Sequence, residues 1–184
     1  MRFATVILVC GLLAALPAHA DIKGLAPGAV APAGQPTIVT SKGGGFSIVF
    51  PIPPEAAMGA PRRMPNWIGS DFADDGTSMW MTGFAISNHD TDPNMDLVSN
   101  AYTIAQSMNG QVLNHDWTSF ARGPGDDLPA YSFTAESAEL RAKGLIVVDG
   151  RRTILIVAFV RKPNDLTKAA DDFLHSLHID KQTN

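Results

Sequence analysis

Thiol chemistry is nearly absent from this chain: among 184 residues the one cysteine is Cys10. Cys10 lies inside an apolar run from Phe3 to Leu16. Beyond that run there is no disulfide, no thiol nucleophile and no thiolate metal ligand. Val9, not the small residue that lipid attachment needs, precedes Cys10. Basic residues are scarce as well, with 14 Lys and Arg against 18 Asp and Glu. Phosphate binding needs a clustered basic surface, so no nucleic-acid partner is expected. The one local group of cations, Arg151, Arg152, Arg161 and Lys162, brackets an apolar segment and reads as solvated strand ends. Catalytic signatures are missing too: the chain holds no G-x-S-x-G elbow, no P-loop and no H-E-x-x-H. Asp126 and Asp127 adjoin Gly125 in an expected turn, where both carboxylates should stay ionised and solvated.

What is present begins with residues 1–20, MRFATVILVCGLLAALPAHA. Arg2 leads the apolar run, Pro17 breaks it, and Ala18-His19-Ala20 supplies small residues at the −3 and −1 positions of a cleavage site. This is the architecture of a secretory signal peptide, with Asp21 as the expected mature N-terminus. Removing Arg2 with the leader leaves 13 basic residues against 18 acidic, a net charge of −5. No other segment approaches the ~20 apolar residues of a membrane span. The expectation is a periplasmic or secreted protein without a span after leader cleavage.

Residues 21–36, with Pro27, Pro32 and Pro36, read as a flexible tether, and 37–180 as one domain. Thr37–Ser41 fits a short edge strand. Phe46, Ile48 and Phe50 alternate on one strand face until Pro51, Pro53 and Pro54 end it. Residues 55–76 form a long irregular loop with one short strand at Asn66–Phe72; loops of that length tend to carry function or mobility. Ser78–Ser87 is a strand. Asp92 caps a helix with Pro93 at its first position, and Leu97, Ala101, Ile104 and Met108 form its apolar stripe before Asn109-Gly110 closes it. Strands follow at Val112–Phe120, Ala130–Glu136, Leu140–Val148 and Thr153–Val160. Asp149-Gly150, expected with positive φ at both positions, joins the last two, and the nearly all-apolar Thr153–Val160 belongs at the sheet centre. Pro163 then opens a helix whose apolar face holds Leu166, Ala169, Ala170, Phe173, Leu174 and Leu177. The fold class is α+β: a twisted antiparallel sheet of six to seven strands flanked by two main helices, an α/β/α sandwich.

In this order, the GGGFSIVFP of 43–51, the helix from Asp92, the DG hairpin of 140–160 and the FLHSLHI of 173–179 resemble the PsbP-like superfamily. The resemblance implies an antiparallel sheet with helices on both faces. It also implies a role in binding and assembly, without a shared active site, and no binding residue carries over.

The residues themselves offer few candidates for chemistry. His89, Asp90 and Asp92 gather an imidazole and two carboxylates before the first helix and could hold a divalent cation. His175 and His178, spaced i, i+3, could share a helix surface, although the dipole at a helix C-terminus explains both without a metal. His115 and Asp116 are adjacent in a strand, face opposite ways and cannot chelate together. Asp71, Asp74 and Asp75 read as turn formers. Trp80 and Trp117 are expected in the core, and Trp67, in the long loop, is the candidate for a partner surface. The favoured function is an exported, non-enzymatic binding or accessory module of PsbP-like type, without a cofactor, using the concave sheet face and the 51–76 loop for a protein or small ligand. The alternative is a periplasmic divalent-metal-binding protein, and the third reading a small hydrolase.

Overall fold

Strand alternation and a capped helix carry the chain from Thr37 to Ile179 through nine strands and two helices among the described residues. The computed structural model describes residues 35–54, 69–88, 92–165 and 168–181, all within one compact unit, Ala31–Asn184. The expected leader, all but the end of the tether, most of the 55–76 loop with Trp67, and His89 and Asp90 lie outside the described residues.

The elements are β1 (Thr37–Ser41), β2 (Phe46–Phe50), β3 (Gly69–Asp74), β4 (Ser78–Ile86), α1 (Pro93–Ser107), β5 (Gln111–Gly123), β6 (Asp126–Glu136), β7 (Leu140–Asp149), β8 (Arg152–Arg161), α2 (Lys168–His175) and β9 (His178–Ile179). Two antiparallel sheets result, one of six strands in the order β3-β4-β8-β7-β6-β5 and one of three in the order β1-β2-β9. The α+β fold expected from the sequence is therefore present, with Phe46–Phe50 in a sheet of its own. Central β8 is buried from Arg152 through Val160, in line with its apolar composition.

While β5 at its edge stays largely exposed, the six-stranded sheet is covered on both faces over β6, β7 and β8. On one, Leu97, Ala101, Ile104 and Ala105 of α1 pack against Phe133, Ala135, Ile146, Leu155 and Val157. On the other, Phe46, Ile48 and Phe50 of β2 and Phe173 and Leu174 of α2 cover Trp80, Phe84, Ile154 and Ile156. Phe50 meets Phe173 edge-on at 5.1 Å between ring centroids. Both faces being occupied there, the described residues leave no bare concave face over β8 and β7 to serve as the expected binding surface.

Three local expectations change. Asp149 pairs with Arg152 across the β7–β8 hairpin, so the two turn residues are Gly150 and Arg151. Of these only Gly150 has positive φ, at +60°, which matches a type II′ turn with glycine first. Pro163 follows a cis peptide bond from Lys162 and sits in a turn closed by Asn164 N–H donating to Arg161 O at 3.1 Å; the described helix begins later, at Lys168. That helix ends at His175, and His178 lies in β9. The i, i+3 helical spacing of the two histidines therefore does not apply.

Candidate functional site

The histidines and carboxylates singled out in the sequence do not converge. Asp92 Oδ1 accepts from Asn94 N–H at 2.9 Å and serves as the N-cap of α1. Exposed His175 lies with Nδ1 2.7 Å from the carbonyl oxygen of Asp171, so Nδ1 carries the proton it donates. His178 is also exposed, with Nε2 3.7 Å from Asp180 Oδ1. Among the described residues no three His, Cys, Asp or Glu side chains gather as metal ligands would. Asp74 and Asp75 do form the β3–β4 turn, accepting from Gly76 N–H and from Thr77 and Ser78 N–H. Asp71, by contrast, is a strand residue opposite Thr82, and burial raises its carboxyl above the usual range.

Three of the four cations at the strand ends are ion-paired, and exposed Arg151 instead donates to Asn88 O at 3.3 Å. Arg161 makes two parallel bonds to Asp74, at 2.9 and 3.0 Å, and Lys162 bonds Glu136. Arg152 is buried, contrary to the solvated reading. Its guanidinium bonds Asp149, donates to Gly44 O at 2.6 Å and Gly45 O at 3.2 Å, and reaches Asp180 O at 3.3 Å. Arg122 completes the group, donating to Asp149 at 2.9 Å and clamping Asp126 through two bonds. Asp126 is thus held by the Arg122 guanidinium, which keeps its carboxyl below the usual range. This network ties the ends of three hairpins to the chain just after β9. Buried, paired charges of this kind fix the relative placement of elements, with Arg152 Nε the one buried guanidinium nitrogen lacking a partner among the described residues.

The open surface lies on β5. That strand occupies one edge of the six-stranded sheet, and its 13 residues are largely exposed. A register shift between Val112 and Asn114 marks a bulge at Leu113. By adding one residue it resets the alternation, so Val112, His115 and Trp117 all stand opposite residues of the α1-facing core, Ala135, Phe133 and Tyr131. His115 stacks on Tyr131 at 5.4 Å and 19° between planes, and Trp117 meets the same ring edge-on at 5.0 Å. Tyr131 is buried, and its hydroxyl is raised above the usual tyrosine range by burial first, then by Tyr102 and Asp116. Trp117 remains 51% exposed, a correction to its expected place in the core, whereas Trp80 is 4% exposed as expected. Adjacent Asp116, opposite Ser132, faces the other way, as strand geometry requires. The missed signal is the bulge, since Trp117 falls on a regular alternation only if Leu113 is left out of the count.

No family model matches this chain, and no curated protein matches it either. Among solved structures it is similar to the solution structure of cyanobacterial PsbP from Synechocystis sp. PCC 6803, at 12% sequence identity and a TM-score of 0.45, with 84% of this chain and 97% of that chain covered.

Proposed function

We propose that the chain is an exported accessory module that holds a protein partner and performs no reaction of its own. The observation that carries this reading is the β5 edge: a long strand with one side unpaired among the described residues and a half-exposed tryptophan braced on a buried tyrosine. An open strand edge is a ready template for another chain. Asp92 is engaged as a helix cap, and Asp74, Asp126, Glu136 and Asp149 are engaged in ion pairs. Export rests on the leader of residues 1–20, and secreted material should begin at Asp21. The direct test is photo-crosslinking in the cell envelope from a probe at Thr118 on β5 and a control probe at Thr40 on β1. One discrete adduct from either probe supports a protein partner. Its absence from both, together with turnover of an ester or peptide substrate by the purified chain, replaces this reading with that of an enzyme.

The metal reading has its own test. Zinc or calcium should leave the melting temperature of the wild type unchanged. If a site exists, metal at 100 times its dissociation constant would stabilise by about 2.7 kcal/mol. Joint replacement of His89, His175 and His178 by Gln would then abolish that gain.

A further inference from the structure

The charge around β5 narrows what its partner can be. Between Arg63 and Arg122 the sequence contains no lysine or arginine, so α1 and β5 up to Ala121 carry the carboxylates Asp96 and Asp116 and, apart from the imidazole of His115, no basic side chain. Arg122 is turned away from that surface onto Asp126 and Asp149. The same two elements hold most of the exposed large apolar side chains of the described residues: Met95, Tyr102, Leu113 and Trp117, the others being Ile38 and Ile86. Aromatic faces are electronegative and attract a cation placed over them. A strand laid beside β5 would alternate its own side chains, one set beside His115 and Trp117 and the next beside Asp116.

We propose that β5 receives an extended, positively charged segment of a partner protein, which adds to the six-stranded sheet as a further strand and sets arginine or lysine against Trp117 and Asp116. This rests on the partner-binding reading above and names the surface and the partner's chemistry. The backbone groups along the side of β5 that is unpaired among the described residues supply affinity without regard to sequence, and the aromatic and acidic side chains select for positive charge. A second copy of this chain is the other occupant an open edge invites. It fits less well, because β5 paired with β5 would bring Asp116 into contact with a surface that has no lysine or arginine before Arg122.

The test uses the full mature chain and defined probes. A capped peptide of alternating threonine and arginine is compared with its threonine–glutamate counterpart and with the arginine peptide N-methylated at alternate residues. Binding is followed by amide protection along β5 and by titration at low and high salt. The arginine peptide should bind roughly tenfold or more tightly than the other two, protect β5 amides but not β1 amides, and weaken with salt. Asp116→Lys should reduce its affinity by roughly threefold to tenfold, and Trp117→Ala by about tenfold. Because Trp117→Ala also removes packing on Tyr131, Ser119→Lys on the exposed strand provides a second, milder variant with the same expected direction. Equal binding of the arginine and glutamate peptides overturns the proposal, as does binding indifferent to all three variants. A dimer whose β5 amides are protected without peptide, and stay so when peptide is added, overturns it in favour of self-pairing. If a crosslinked partner is found from Thr40 while β5 ignores the arginine peptide, the partner-binding reading survives and this surface does not.

Discussion

Gly150 shows how one residue's backbone decides a connection. Its φ of +60° lies in the left-handed region, and a side chain added there would meet nothing within 4 Å. The cost of Gly150→Val is therefore backbone strain alone, about 1–3 kcal/mol, read as a lower urea midpoint at unchanged slope. A midpoint that does not move would mean that the turn shifts to another register at no cost. The sequence pair Asp149-Gly150 marked a hairpin correctly but misplaced its turn by one residue, because Asp149 closes the strand ladder opposite Arg152, three residues on, and is also bound by distant Arg122. Asp92 is the opposite case: its cap on α1 depends on chain neighbours only, and it stands where sequence reasoning put it. Of the remaining metal candidates, His178 was misjudged because the α2 helix stops at His175, two residues before Leu177 buries itself.

At the scale of elements, Arg152 joins the small sheet to the large one. Its guanidinium meets the carbonyls of Gly44 and Gly45 in the β1–β2 turn and of Asp180 beyond β9, while Asp149 at the β7–β8 turn holds it in place. Gly45 must lack a side chain, since a Cβ there would collide with the guanidinium. Arg152→Met keeps the apolar stem but leaves three carbonyls without this donor, and it should cost roughly 3–5 kcal/mol as a broken buried pair does. Chemical denaturation measures this. A loss below about 1 kcal/mol would show that Arg122 alone satisfies Asp149. Strand alternation and the Pro51 stop made β2 legible residue by residue. Its assignment to a separate sheet was not legible, because β9 has only two residues and no periodicity to detect. The β5 edge stayed hidden for a related reason: a bulge is a property of the pairing between strands, and Trp117 alone looks like any core tryptophan.

For the molecule as a whole, acid is the natural stress. Asp126, Glu136 and Asp171 are each held below the usual carboxylate range, foremost by a hydrogen bond from Arg122, Lys162 and Lys143 respectively. A depressed folded-state value means stability that is fully present above the unfolded value of about 4. That stability is lost as the pH falls through the folded values. Asp71 acts in the opposite direction, since its raised value makes its protonated form the better fit to the fold. Three groups against one predict a flat melting temperature from neutral pH to about 5 and a decline below about 4. Asp171→Asn should make that decline shallower without altering its onset. A melting temperature that goes on rising below about pH 4, where the ion pairs are being lost, would mean that Asp71 outweighs them.

The pairing of β2 with β9 has a consequence for how the chain is made. Phe46 lies opposite Ile179, and the cover over Phe46, Ile48 and Phe50 comes from Phe173, Leu174 and Leu177. On a growing chain, more than a hundred residues must leave the ribosome between the synthesis of those phenylalanines and the arrival of their shelter. Contacts so distant along the chain form late and slowly. Until then β1 and β2 are an isolated hairpin, which is marginally stable at best in water. The nascent protein therefore cannot complete its fold from the N-terminal side, and it presents an unshielded apolar strand to whatever chaperone meets it first.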